Sequence, residues 1–403
     1  MWNRRHFLRG TALAGSAFCT TSSAAPYFLL DLGRRLRPAT DRRVLVVVQL
    51  DGGNDALNTV VPFGDDGYAR SRNVLRLASD EVLRLDDHVG LHPALEPLMD
   101  LLGGGRLSVV QNVGYPNPSR SHFRSMATWH AARLDPEEHG GVGWLGRALD
   151  ELHAGGRRAS ALSIGPGAPP VAVRGSRASA ASLERLEDFA FLPGADPRTT
   201  GSGASAKEDL EAYVRRAAVQ AGEAADRIAS LRSIERSRAA YPENALGRRL
   251  RLVATLLQAD HGARVFYTQQ TGYDTHARQL PAHENLLTAF AESVRAFFAD
   301  LDASGLSDRV LLLAFSEFGR TLVENASEGT DHGTQGAVFV AGPTVRRPLI
   351  GPAPDLEDLV DGEPLAGLDF RSIYATVRSE WLGLGPEGRA SDRYEPLALL
   401  GSD

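Results

Sequence analysis

The sequence predicts an α/β protein: a three-layer sandwich with a mostly parallel central sheet, helices on both faces, and a helical insertion. Three observations predict it. First, short continuously apolar runs recur along the chain: RVLVVVQL at 43–50, RLSVVQNV at 106–113, ARVFYTQQ at 263–270, RVLLLAF at 309–315 and AVFVA at 337–341. Runs of this kind suit strands buried on both faces, as in parallel sheets. Second, stretches with helical periodicity lie between them, at 91–102, 121–132, 246–260 and 282–301. That alternation is the pattern of strand–crossover–strand units. Third, the 403 residues are 43% hydrophobic and 23% charged, an ordinary globular composition at a length that fits one large domain carrying an insertion.

The chain opens on Asn3-Arg4-Arg5-His6-Phe7-Leu8-Arg9, followed by a weakly apolar run at 10–18 and small residues at 20–25. Charged, apolar and cleavable segments in that order make a signal peptide. The adjacent arginines resemble a twin-arginine signal, which implies the twin-arginine translocase as a partner during export and a periplasmic or extracellular destination. Residues 1–24 are read as the signal, with Ser22 and Ala24 as the small residues before the cut. Phe18 ahead of Cys19 spoils a lipoprotein site. The apolar run is shorter than the ~20 residues that span a bilayer core, and no later uncharged segment reaches that length. The mature chain is therefore expected to have no transmembrane segment.

Cys19 is the only cysteine, which excludes disulfides and cysteine–metal sites from the mature chain. A net charge of -6 gives no footprint for nucleic acid. Lys207, the only lysine, is not in a phosphate-loop setting. Residues 41–403 are read as the α/β domain. Within it, 176–244 reads as an inserted helical excursion: a Ser/Ala-rich start, a loop at 193–204, then a charged helical run at 208–236.

In open α/β sheets, ligands bind beyond the carboxyl ends of the strands. The first run is followed by Asp51-Gly52-Gly53-Asn54-Asp55, the second by Pro116-Asn117-Pro118-Ser119-Arg120-Ser121-His122-Phe123. The third is followed by Gly272-Tyr273-Asp274-Thr275-His276, the fourth by Ser316-Glu317-Phe318-Gly319-Arg320 and soon by Asp331-His332-Gly333. Singly these are common loop residues. Jointly they point to a divalent metal ion (zinc, manganese, calcium or magnesium), because converging carboxylates repel unless a cation neutralises them. The candidate ligands are Asp51, Asp55, Asp274, His276, Glu317, Asp331 and His332. Ser121, at the head of the 121–132 helix, is the candidate nucleophile. Free N–H groups at a helix start favour phosphate or sulfate, and Arg120 and Arg124 are placed to clamp the same anion. Asn54, His122 and Arg320 complete the set.

Plainer readings stand beside these. Asp51 and its glycines also make a tight turn. Asp274-Thr275-His276 also fits a capped turn with a solvated imidazole. Glu317 also fits an ion pair with Arg320, and Asp331 also fits an orienting partner of His332. His122 is open between ligand, acid–base group and structural residue. His92 fits packing better than ligation.

These residues resemble the twin-arginine-exported domain-of-unknown-function family fifteen-oh-one, a branch of the alkaline phosphatase and sulfatase superfamily. The resemblance spans the mature chain. It rests on Gly52 to Asn58 with Val61-Pro62, Leu91-His92-Pro93, Ser119 to Phe123, Gly143 to Arg147, Asp274 to His276, Ser316 to Arg320 and Asp331 to Gly333. It implies an alkaline phosphatase-like fold with a two-metal site at the carboxyl edge of the sheet. It also implies Asp51 or Asp55 as the first-strand ligand, Ser121 as nucleophile with Ser119 the second choice, and Asp274, His276 and His332 in one metal site. The implied activity is hydrolysis of phosphate or sulfate esters. Two departures bear on this. Ser316-Glu317 stands where those enzymes carry Asp-His, which implies a weaker, different or absent second metal and keeps a non-catalytic exported binding or assembly protein as the alternative. Pro116 stands where the sulfatase signature needs the residue that matures to formylglycine, which disfavours that chemistry.

Overall fold

The computed structural model describes residues 43–135, 141–155, 159–178, 180–185, 239–259, 262–343, 345–387 and 394–401. The chain divides into two compact units, Ala39–Glu184 with Ser237–Asp403, and Met1–Pro38 with Arg185–Arg236. The architecture below is that of the first. The second, apart from Arg185, lies outside the described residues, and with it the signal at 1–24 and the helical run at 208–236.

Nine strands form the main sheet. In chain order they are β1 (Val44–Asp51), β2 (Leu107–Gly114), β3 (Ala161–Ile164), β4 (Ala180–Leu183), β5 (Val265–Thr271), β6 (Val310–Phe315), β7 (Gly336–Ala341), β8 (Leu349–Ile350) and β9 (Leu368–Asp369). Across the sheet the order is β8-β2-β7-β6-β1-β5-β3-β4, with β9 sharing the outer edge of β2. β1 lies at the centre, parallel to β5 and β6. β7 runs antiparallel to both β2 and β6, and every other pairing is parallel.

The helices used below are α1 (His122–Ala131), α2 (Trp144–Ala154), α3 (Ala245–Gln258), α4 (Gln279–Ala303) and α5 (Phe370–Thr376). Successive side chains of a strand go to opposite faces. Leu45 and Val47 of β1 join α1, α2 and α5 in one buried cluster. Trp129 of α1 lies flat against Phe315, with centroids 4.9 Å apart, and against Phe370 at 4.2 Å. On the other face α3 and α4 pack together, and Phe290 of α4 meets Phe339 of β7 at 5.0 Å. This is the three-layer sandwich that the apolar runs predict. Among the described residues no helix is long and apolar enough to cross a membrane.

The five predicted runs are all strands, displaced by no more than two residues at either end. The stretch at 91–102 is not one helix. It is a short strand Gly90–Leu91, a 3₁₀ turn Pro93–Leu98 and a short helix Met99–Gly103. Pro97 removes a backbone donor in mid-segment, which a continuous α-helix tolerates poorly. β3 and β4 had no counterpart among the predicted runs. β4 falls inside 176–244, and Asn244 already caps α3 by accepting from Gly247 N–H. Helical structure between 185 and 244 lies outside the described residues.

Candidate metal centre

Three loops meet at the carboxyl end of β1. Gly52 (φ 120°) and Gly53 (φ 81°) follow it, in backbone regions that L side chains rarely adopt. A Cβ on Gly52 would sit 2.5 Å from Asp274 N, and one on Gly53 2.5 Å from the Phe318 ring. The glycines therefore permit the close approach of loops from three strands.

Arg320 fixes that approach. Its side chain is fully buried. Nε donates to Gly53 O at 2.8 Å and Nη1 to Thr330 O at 3.0 Å. Nη2 donates to Gly52 O, to Tyr273 O at 2.9 Å and to Asp274 Oδ1 at 2.6 Å. The alternative of a Glu317–Arg320 pair does not form, because the guanidinium is spent on these carbonyls and on Asp274.

Asp274 Oδ1 is the focus of the site. Three imidazole Nε2 atoms surround it: His276 at 3.0 Å, His332 at 3.1 Å and His122 at 3.4 Å. The Nε2 atoms of His276 and His332 are 3.0 Å from each other. Ligating atoms of His122, Asp274 and His332 all lie within 4.8 Å of one another. Asp274 is 48% exposed and His276 43%, so the cluster is open to solvent.

Each imidazole is held from behind through Nδ1. His122 Nδ1 is 2.7 Å from Glu317 Oε1, His276 Nδ1 is 2.9 Å from Asp331 Oδ1, and His332 Nδ1 is 2.7 Å from the Arg120 carbonyl. A carbonyl only accepts, and so does an ionised carboxylate, so each Nδ1 carries its proton and donates. Each Nε2 of a neutral ring then presents a lone pair toward a carboxylate oxygen. At 3.0 Å, His276 and His332 cannot both direct a proton at the other. Lone pairs facing an anion at this separation repel unless a cation or a proton lies among them. Carboxylate- or carbonyl-backed imidazoles with Nε2 atoms converging on one carboxylate form a donor set that fits a divalent transition metal such as zinc.

With a proton rather than a cation among these groups, partial burial still pushes the Asp274 carboxyl up, but the hydrogen bonds from Arg320 and His332 and the charges of Arg320 and His276 together outweigh it and hold it at about 2. Asp274 is therefore ionised throughout the physiological range.

The structure sorts the remaining candidates. Glu317 is fully buried and does not face the cluster as a ligand. It takes Gly52 N–H at 3.0 Å, Ser316 Oγ–H at 3.1 Å and the His122 ring. Asp331 likewise backs an imidazole, that of His276 rather than His332. Asp55 is turned away. It caps the turn at Ala56–Thr59 and forms a fully buried ion pair with Arg72 at 2.6 Å. Burial pushes the Asp55 carboxyl up, the Arg72 guanidinium with His283 and Gln279 together outweigh it, and the net shift is downward. Asn54 is tied to Thr59 and His283, 3.0 and 2.9 Å away. Asp51 Oδ1 accepts from Gln49 Nε2 at 2.9 Å. His92 is buried and caps the 3₁₀ turn.

Ser119 is engaged: its Oγ accepts from Ser121 N and its N–H donates to Tyr115 Oη. Tyr115 continues through Ser125 to the Glu317 carbonyl, tying α1 to the loop after β6. Ser121 sits at the N-cap of α1, exposed, and its hydroxyl makes no capping hydrogen bond. Serine at this position ordinarily spends its oxygen on the helix N–H groups. Arg120 and Arg124 are exposed on either side. The reading from spacing left His122 open among three roles, and nothing in it indicated Arg72 as the partner of Asp55.

The fold and site define an α/β protein with a histidine–carboxylate cluster at the carboxyl edge of a mixed sheet. The family described as "Protein of unknown function (DUF1501)" matches residues 110–379, and the chain belongs to it. No curated protein matches the chain in sequence. Solved structures similar to it include a lipoteichoic acid synthase of Listeria monocytogenes (10% identity, TM-score 0.40, 89% of this chain and 76% of that one). A sulfatase of Pseudoalteromonas sp. (12%, 0.40, 93% and 74%) is similar too. So is the C-terminal periplasmic domain of EcEptC from Escherichia coli, in complex with zinc (9%, 0.38, 76% and 74%).

Proposed function

We propose that the chain is an exported, metal-dependent hydrolase of phosphate or sulfate esters. One observation carries the reading: three imidazoles, each anchored at Nδ1, direct Nε2 to a single ionised carboxylate oxygen in a solvent-open cluster. Asp274, His122, His276 and His332 would hold the cation, which when bound supplies Lewis acidity toward an ester oxygen. The chain's own residues support the rest. Ser121 offers an uncommitted hydroxyl beside His122, at the start of a ten-residue helix whose first N–H groups favour an anion. Arg120 and Arg124 add charge-assisted donors for the same oxygens. Attack by Ser121 Oγ on phosphorus or sulfur would release the alcohol. Hydrolysis of the seryl ester would then restore the enzyme.

Ser121→Ala is expected to lower turnover of an aryl phosphate or aryl sulfate at least a hundredfold while leaving the metal in place. Unchanged turnover in that variant sinks Ser121 as nucleophile.

A second reading, a non-catalytic exported binding or assembly protein, is favoured by one observation. Asp55 and Glu317, two of the carboxylates a second cation would draw on, are committed to Arg72 and His122. It predicts metal without turnover on any ester. Destination and translocase rest on Arg4-Arg5 with the apolar run at 10–18 and the small residues at 20–25, and are part of the same proposal.

A further inference from the structure

His276 and His332 arrive on different loops, one after β5 and one after β6, yet their Nε2 atoms stand 3.0 Å apart. Backbone bonds join the loops at Thr330 N–H to Thr275 O (3.3 Å), Arg278 N–H to Ser327 O (2.9 Å) and Gln279 N–H to Glu328 O (2.8 Å). The one nearest the ligands is the longest.

A side chain supplies the tie that this leaves wanting. Gln279, the first residue of α4, is fully buried. Its Oε1 accepts from Thr275 Oγ1 at 3.0 Å and from Thr330 Oγ1 at 2.5 Å. Thr275 stands between Asp274 and His276, and Thr330 directly precedes Asp331 and His332. Both threonines are buried. One amide oxygen therefore fastens the loop that carries Asp274 and His276 to the loop that carries His332.

Asp55 decides which end of the amide faces the threonines. Gln279 Nε2 donates to Asp55 Oδ2. The fold holds that carboxyl below its usual range, so it is ionised and only accepts. It admits Nε2 and excludes Oε1. Arg72 in turn meets both Asp55 oxygens, at 2.6 and 3.0 Å, and donates to Thr321 O at 2.9 Å and Leu322 O at 3.1 Å, on the loop after β6. Buried ion pairs add little net stability, and their best-attested use is to fix register. We infer that Gln279 is a positioning residue for the metal centre, with Asp55 and Arg72 setting the direction of its amide. The inference rests on the metal reading above.

Zinc dissociation constants of the full mature chain, measured by competition with a chromophoric chelator, test it, alongside melting temperatures of the metal-free forms. Thr275→Val and Thr330→Val each delete one hydroxyl and leave Gln279 Oε1 the other donor. Each is expected to melt close to the parent and to bind zinc roughly tenfold more weakly, the scale for a group that orients a ligand from behind. Thr275→Ser and Thr330→Ser keep the hydroxyl and are expected to restore binding. Gln279→Met keeps the side-chain length without the amide and is expected to weaken zinc at least as much as either valine. A role confined to packing would instead lower the melting temperature and leave the zinc affinity of the folded chain unchanged. Parent-like zinc affinity in both valine variants, or no recovery with serine, overturns the positioning role and leaves the metal site standing. A parent chain that takes up no zinc overturns both.

Discussion

Arg320→Ala is expected to cost about 3–5 kcal/mol of stability, the range for removing one partner of a buried charged pair, and to abolish the proposed metal binding. The side chain is fully buried and serves four carbonyls, those of Gly52, Gly53, Tyr273 and Thr330, besides Asp274. Truncation orphans these acceptors at once. It also frees the loop after β5 from the loop after β1, so Asp274 loses its position and its closest positive charge. Lysine does not substitute, since one ammonium cannot reproduce a planar fork that reaches three loops. Denaturant midpoints and metal content of Arg320→Ala and Arg320→Lys check this. A variant melting close to the parent with its metal retained would show that the loops hold without the guanidinium.

The second large effect is acid lability. His92 and His283 are buried and His130 is half-buried, and desolvation pushes them down to about 4, about 3 and about 4 respectively. The groups around His283 make its burial costly to reverse: Arg72, Arg320 and His92 disfavour a proton, and Asp55 only partly compensates. A folded-state value below the unfolded one means that the unfolded chain binds more protons in between. The stability these neutral rings contribute is thus fully present above about pH 6.5 and is lost as pH falls from there toward 4. Each ring can contribute a slope of up to about 1.4 kcal/mol per pH unit across that window. Asp55 adds a further loss in the same direction at lower pH, since its carboxyl is held down in the fold. Urea midpoints measured in chelator, so that metal release does not contribute, are expected to be level from pH 8 to 7 and to fall steeply below 6. A midpoint unchanged down to pH 4.5 would contradict it.

The fold was legible where strands are long and made of large apolar residues. VLVVVQLD and VLLLAF admit little but buried strands. ALSI and AASL are four residues each, built largely from Ala and Ser, and they become strands β3 and β4 through pairing alone. Nothing in GAVFVA encodes that β7 runs against its neighbours.

The site was legible as a place, because loops after parallel strands share one edge. It was not legible as roles. Spacing cannot say whether a carboxylate faces an ion or backs an imidazole, and Glu317 and Asp331 do the latter. Nor can it separate Asp51 from Asp55 four residues on. That distinction comes from Arg72, a buried partner with no motif around it.

The central claim is that Asp274 and its imidazoles hold a divalent cation. Elemental analysis of the mature protein, purified after export without chelator, tests it most directly. The structure predicts about one transition-metal ion per chain at a site of this donor set, and loss of that ion in a His332→Ala variant with the parent's circular dichroism. A folded, metal-free parent that takes up no added zinc or manganese, or full occupancy retained in His332→Ala, would contradict it.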